Sequence, residues 1–142
     1  MNALEISRTG LDVEWRRLEV IARNIANANS AVTAEGGSYR PLQVISGPVG
    51  GFSAALAGGG QAREPGGVAI YSIEPQNLPS RRAYEPANPQ ADAQGFVTYP
   101  GFDHAAEMAL LVKTSRSYEA NVVAMNAARQ MYASALQIGK RA

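Results

Sequence analysis

The side chains best suited to acid–base or metal chemistry are few and poorly placed for it. The only histidine, His104, follows Asp103 at a predicted helix start, and adjacent residues on a helix point in different directions. Three further carboxylates, Glu74, Glu85 and Asp92, are scattered through predicted loops without the spacing of metal ligands. We interpret His104 as a surface or capping residue and predict no catalytic, cofactor-binding or metal-binding residue, so the chain is not expected to be an enzyme.

Composition excludes several other classes of function. The 13 basic residues are balanced by 12 acidic ones, which gives no reason to expect nucleic-acid binding. The chain has no cysteine, so disulfides, thiol catalysis and zinc–thiolate sites are excluded. Gly58–Gly60 leads into Gln-Ala-Arg rather than the Lys-Ser or Lys-Thr of a phosphate loop. We interpret Arg81–Arg82 as a solvated hairpin edge.

The amino terminus lacks the features of a secretory signal. Charged residues interrupt any apolar core there, namely Glu5, Arg8, Asp12 and Glu14. No uncharged apolar segment approaches the ~20 residues that a membrane helix requires. The sequence therefore predicts a soluble protein that is not an integral membrane protein and is not exported by the general secretory route.

Proline and glycine divide the chain into three segments. All eight prolines and twelve of the fourteen glycines lie within residues 36–101. Both residue types disfavour helices, so helices are predicted at the two ends. We expect a mainly α fold in which residues 1–29 and 103–142 form one helical domain, with a β-rich, Gly/Pro-rich insert at residues 30–102.

The first segment has apolar residues at alternating spacings of four and three, which aligns side chains along one side of a helix. This predicted α1 stripe consists of Leu4, Leu11, Trp15, Leu18, Ala22 and Ile25. Gly10 weakens the first turns, so residues 1–8 are expected to fray when the chain is alone.

The last segment, from about Asp103 to Ile138, predicts a longer helix with the same kind of spacing. Its predicted stripe includes Leu111, Tyr118, Val122, Met125 and Tyr132. Asp103 and Glu107 favour the positive end of the helix dipole, and Gly139 predicts the end of the helix. The two stripes either pair within one chain or pack against other subunits. We favour assembly, because two helices and a Gly-rich insert bury little surface in a monomer.

The middle segment predicts strands at residues 39–45, 68–73 and 96–99, from their β-branched and aromatic composition. Residues 47–67 contain eight glycines and predict a mobile loop between two strands. Residues 75–95 are rich in proline and turn residues. We expect them to be extended and ordered only by packing.

Three asparagines close together, in NIANANS at residues 24–30, follow the first helical run. Asparagine is a mediocre helix former that tolerates the left-handed conformation, so this stretch predicts a helix end. A second interpretation is that its amides bond backbone groups of adjoining segments or subunits. We expect the second role of Asn27 in particular.

Four stretches resemble bacterial flagellar basal-body rod proteins, most closely those of the proximal rod. They are RLEVIARNIANANS, GGSYRPLQV, YEPANPQADAQGFVTYPGFD and EMALLVKTSRSYEANVVAMNAARQM, and the resemblance covers about residues 3–138. The residues that carry the family motifs are Asn24, Asn27, Asn29, Tyr39, Arg40, Ser115, Arg116, Tyr118 and Asn121. The longer form SAVTAEGGSYR after the helix end is similar to the proximal type. The Gly/Ala-rich loop and the Lys140-Arg141 tail depart from the family pattern.

The resemblance implies a structural subunit without a cofactor. Such proteins are exported by the flagellar type III apparatus without a cleaved signal peptide and assemble helically into the rod that crosses the periplasm. It implies contacts with other copies of the chain, the second proximal rod protein FlgB, distal rod subunits and the adapter between the rod and the MS ring. It also implies an inner coiled-coil layer around the export channel.

Two alternatives are a distal-rod or hook-type axial protein and a soluble binding module. The binding module predicts an ordered aromatic cluster in the insert and a compact monomer.

Overall fold

The computed structural model describes residues 2–31, 39–50 and 66–139. In chain order, a small strand region lies between two helices. The helices are α1, Ala3–Ala26, and α2, His104–Gly139; the strands are β1, Leu42–Pro48, β2, Val68–Pro75, β3, Arg81–Tyr84, and β4, Phe96–Tyr99. This arrangement confirms the expected mainly α fold with a β-containing insert.

Helix α1 begins with a capping box. The Asn2 side chain accepts a hydrogen bond from the Glu5 amide at 3.0 Å, and the Glu5 carboxylate accepts one from the Asn2 amide at 3.0 Å. Reciprocal bonds of this kind satisfy two otherwise open donors at a helix start. The fraying expected for residues 1–8 stays a prediction, and this capping box opposes it.

Helix α2 begins where Asp103 accepts a hydrogen bond from the Ala106 amide at 3.0 Å. It runs for 36 residues, close to the predicted 103–138. That corresponds to about 54 Å, against about 36 Å for the 24 residues of α1. No helix in the described ranges is both long enough and apolar enough to span a membrane.

The strands form two separate antiparallel pairs. In β1–β2 Val44 lies opposite Ile73, and in β3–β4 Tyr84 lies opposite Phe96. The first strand starts at Leu42 rather than at residue 39, although the Pro41 carbonyl still accepts a bond from the Gln76 amide at 2.6 Å. Residues 51–65 of the expected mobile loop lie outside the described residues.

Residues 75–95 were expected to be extended and ordered only by packing, but they include strand β3, which is hydrogen-bonded to β4. The Asp92 carboxylate accepts hydrogen bonds from the amides of Gln94 and Phe96, each at 2.9 Å. These bonds hold the connecting loop so that residues 81–84 meet β4. Sequence reasoning gave the prolines too much weight, because they flank the four-residue strand and lie outside it.

The core is thin and is centred on α1. Its buried apolar residues, within the described ranges, are Val13, Val20, Ile21, Ala28, Val44, Val97 and Ala128. Helix α1 is packed from two sides, by α2 and by the β1–β2 pair. It is therefore the element that fixes the position of both.

Candidate assembly surface

A buried polar cluster joins the end of α1 to the start of α2. Asn24 is only 1% exposed, and its amide donates to the Leu42 carbonyl at 2.8 Å and to Glu107 Oε1 at 3.3 Å. Its oxygen accepts from the Leu42 amide and from the Tyr39 hydroxyl, each at 2.8 Å. One side chain thus connects α1, β1, the segment before β1 and α2.

Glu107 and Gln76 complete this cluster. Gln76 Nε2 donates to Glu107 Oε1 at 2.7 Å and to the Leu42 carbonyl at 3.1 Å. Burial raises the pKa of Tyr39, with a lowering contribution from Arg23 and a raising one from Glu107. The Tyr39 hydroxyl therefore stays protonated and remains a donor to Asn24 near neutral pH.

The other two asparagines of NIANANS do not join the cluster. Asn27 caps α1, because its amide donates to the Arg23 carbonyl at 2.8 Å and its oxygen accepts from the Ser30 hydroxyl at 3.2 Å. The predicted helix end is confirmed, because α1 ends at Ala26, and the φ of −103° of Asn27 shows that this end forms without the left-handed conformation. Asn29 is exposed. The cross-segment bonding expected of Asn27 is made within this chain by Asn24.

The predicted α1 stripe lies at the edge of the buried face of α1. Leu4, Leu11, Leu18 and Ile25 are half-buried, and Trp15 is 57% exposed. The fully buried positions of α1 are instead Ser7, Gly10, Val13, Val20, Ile21 and Asn24.

This shift around α1 follows from its two neighbours. Arg17 donates to the Val44 carbonyl at 3.2 Å and to the Ser46 hydroxyl at 2.8 Å, and the Val68 amide donates to the Thr9 hydroxyl at 3.1 Å. Because the strands cover one side of α1 and α2 covers another, the most buried line lies between the two.

The predicted α2 stripe has the right period, but the most buried row is a neighbouring one. Leu111, Tyr118, Val122 and Met125 are half-buried, whereas Tyr132 is exposed. The buried row repeats every seven residues and consists of polar or small residues: Glu107, Thr114 and Ala128. Apolar periodicity could not reveal a row of this composition.

Close helix approach explains why small and polar residues occupy this row. Asn121, the remaining member of the seven-residue row, lies directly over Gly10, where an added Cβ would be 2.7 Å from Asn121 Oδ1. Nearby, the rings of Trp15 and Tyr118 lie 6.3 Å apart. The contacts Gly10–Asn121, Trp15–Tyr118 and Asn24–Glu107 together show that the helices are antiparallel. Among the remaining motif residues, Ser115 is half-buried and Arg116 and Arg40 are exposed.

Comparison with known proteins identifies the family of the chain. Residues 93–138 match the family model described as the flagellar basal body rod FlgEFG protein C-terminal region. The chain is 35% identical over 140 residues to the flagellar basal-body rod protein FlgC of Salmonella typhimurium, covering 99% of this chain and 98% of the relative. The chain belongs to the FlgC family of flagellar basal-body rod proteins.

Other FlgC relatives match over similar lengths. FlgC of Bacillus subtilis is 36% identical over 148 residues, covering 98% of this chain and 97% of the relative. FlgC of Borreliella burgdorferi is 32% identical over 148 residues, covering 96% and 95%. The resemblance inferred from the four sequence stretches is therefore confirmed.

The β3–β4 pair of this FlgC-family chain carries an ordered aromatic cluster. The Tyr84 and Phe96 rings meet edge to face at 5.3 Å, and the guanidinium groups of Arg82 and Arg81 lie over Phe96 at 4.7 Å and over Tyr99 at 5.0 Å. Arg82 also pairs with Asp92 at 2.6 Å. The rings are thus packed by the chain's own arginines, which favours a role in strand packing.

The ionisable side chains of the β3–β4 region hold its loops in place. The amide of Phe96, more than any other group, lowers the pKa of Asp92, and the Asn88 amide and the Tyr99 hydroxyl lower that of Glu85. Both carboxylates therefore accept hydrogen bonds that fix the conformation of the loop between β3 and β4. No group of three or more potential metal-ligating side chains occurs within residues 2–31, 39–50 and 66–139.

Proposed function

We propose that this chain is a structural subunit of the proximal rod of the bacterial flagellar basal body. The observation that carries the proposal is the match to FlgC rod proteins over 99% of the chain. In this role the subunits assemble helically, link the motor to the distal rod and hook, and surround the export channel.

The exposed apolar surface of α2 supports assembly through the helices. Val112, Val123, Met131, Leu136 and Ile138 are all exposed, and they lie on several sides of the helix. Exposed large apolar side chains on several sides of a helix favour cover by other elements. The described part of one chain supplies a single helical neighbour, α1, so other subunits are the natural cover.

The same proposal assigns the helical residues and the insert to different parts of the rod. Residues 1–29 and 103–142 form the inner axial layer, in which the two stripes contact neighbouring subunits. Residues 30–102 form the outer insert. The polar cluster around Asn24 supports this division, because it fixes the start of the insert to the end of α1 and the beginning of α2.

Partners and location follow from the rod role. The proposed partners are other copies of the chain, FlgB, distal rod subunits, the adapter to the MS ring and the type III export apparatus. The proposed location is the rod where it crosses the periplasm, reached without a cleaved signal peptide. The FlgC relatives, whose names place them in the basal-body rod, support this location.

A pair of matched variants tests the proposal. Met125→Asp puts a carboxylate into the half-buried α2 stripe, whereas Asn126→Asp puts one on the adjacent exposed position. In cells whose own gene is deleted, we expect Met125→Asp to abolish swimming and Asn126→Asp to leave it intact. Normal swimming of deletion cells without any copy would contradict the rod role.

A further inference from the structure

The end of α2 extends beyond the helix that covers it. Extending the antiparallel contacts along both helices puts Ala3, the first residue of α1, level with Ala128, the last buried residue of α2. Residues 129–139 therefore project by about 16 Å. Every residue of this projection is exposed.

The projection continues the side of α2 that α1 covers. Tyr118 and Met125 are half-buried against the helix pair, and Tyr132 is the next residue in the same seven-residue row. Tyr132 is 47% exposed and Leu136, one turn further on, is 68% exposed. The side of α2 that packs on α1 therefore continues into the projection, where α1 no longer covers it.

The charges of the projection select its partner. No acidic residue occurs in residues 120–142, whereas the projection has Arg129 and is followed by Lys140 and Arg141. Two projections packed on each other would bring only like charges together, which opposes a symmetric contact. The fitting partner is an apolar helix surface flanked by carboxylates.

Helix α1 offers such a surface. Trp15 is the most exposed large apolar residue of α1, and half-buried Leu11 belongs to the same stripe. Three exposed carboxylates, Glu5, Asp12 and Glu19, recur every seven residues beside it. Glu19 already forms an ion pair with Arg16 at 2.7 Å. Asp12 is therefore the carboxylate next to Trp15 that is available to a cation of another subunit.

We propose that the projecting end of α2, with Tyr132, Leu136 and Arg129, packs onto the Trp15–Asp12 surface of α1 in a second copy of this chain. The contact joins two different surfaces, so each copy can receive one neighbour and reach another, which builds an open array rather than a closed pair. The inference rests on the proposed rod function and names the self-contact within it.

Cysteine cross-linking tests the contact directly, because the chain has no cysteine of its own. Trp15→Cys and Leu136→Cys are introduced together, and basal bodies isolated from cells with this copy alone are oxidised. Within one chain, Leu136 lies eighteen positions beyond Tyr118, the neighbour of Trp15, or about 27 Å away. A disulfide needs Cα atoms within about 7 Å, so only different copies can be joined.

The expected result is a ladder of dimers and longer species, with no dimer from either single variant. Trp15→Cys with Ser134→Cys, on the opposite side of the projection, is the matched control and should give no ladder. Dimers from Leu136→Cys alone would overturn the inference, since they require two projections to meet. Cross-links to another rod protein alone would also overturn it.

If the cysteine variants do not assemble, reversing the charges of Arg129 and Asp12 tests the same contact. Arg129→Glu should impair swimming, and Asp12→Arg in the same chain should restore it. Absence of any restoration would overturn the contact. Failure of the underlying rod function would be distinguishable, because cells lacking the gene altogether would then still build rods and swim.

Discussion

Replacing Asn24 by alanine removes the side chain at which four chain segments meet. The Leu42 amide loses its acceptor, whereas the Leu42 carbonyl and Glu107 keep the Gln76 amide as donor. Tyr39 is half-buried, so its hydroxyl can turn to water. An orphaned buried donor costs about 1–3 kcal/mol, and the cavity left by the amide adds about 1 kcal/mol. We expect the free energy of unfolding to fall by about 2–4 kcal/mol.

Urea denaturation of the purified chain, followed by circular dichroism, measures this change. Asn27→Ala is the matched control, because Asn27 bonds only its own helix end and Ser30. Loss of a side-chain hydrogen bond of this kind costs about 0.5–1.5 kcal/mol. Equal destabilisation by the two variants would refute the view that Asn24 fastens the insert to the helices.

The variant Asn24→Asp removes the amide donors of this side chain and keeps its acceptor oxygen. The aspartate can still accept from the Leu42 amide and Tyr39, but it faces Glu107 Oε1, which lies 3.3 Å from the present amide nitrogen. Two carboxylates at this distance cannot both stay charged without a large cost. We therefore expect this variant to be more stable at pH 5 than at pH 7, since a proton on either carboxyl restores a donor. A stability that rises with pH over this range would contradict the arrangement.

Three smaller predictions address the supports of the fold. Gly101→Ala should lower the free energy of unfolding by about 1–3 kcal/mol, measured by urea denaturation, because its Cβ would meet the Pro79 carbonyl. Asn2→Ala should lower the helical signal in circular dichroism and cost about 1 kcal/mol, through loss of the capping box. The lowered pKa of Asp92 contributes stability above its ordinary pKa of about 4 and loses it as the pH falls through the folded-state value. Asp92→Asn should therefore flatten the acid side of a plot of stability against pH.

The helices could be predicted from sequence because their signals are local. The distribution of proline and glycine located both helices, and α2 was placed to within a residue at each end. The heptad period was also right. The period did not show which face of each helix is most buried. On α1 that face depends on where the strands pack, and the sequence of α1 alone does not determine this.

The candidate site was harder to predict because its central residues are polar. Glu107 was assigned to the helix dipole, yet it is buried against Asn24 and Gln76, which lie 83 and 31 residues away along the chain. Thr114 is buried and Asn121 lies over Gly10 in the helix contact, yet neither residue carries an apolar signal. The family motif did single out Asn24 and Asn121. It was resemblance rather than periodicity that pointed to them.

Electron microscopy of isolated basal bodies tests the central claim most directly. Basal bodies from cells that lack this gene would be compared with those from the same cells given the gene back. The rod account predicts rings without a completed rod in the first case and complete rods in the second. Complete rods of normal length in the absence of the gene would contradict it.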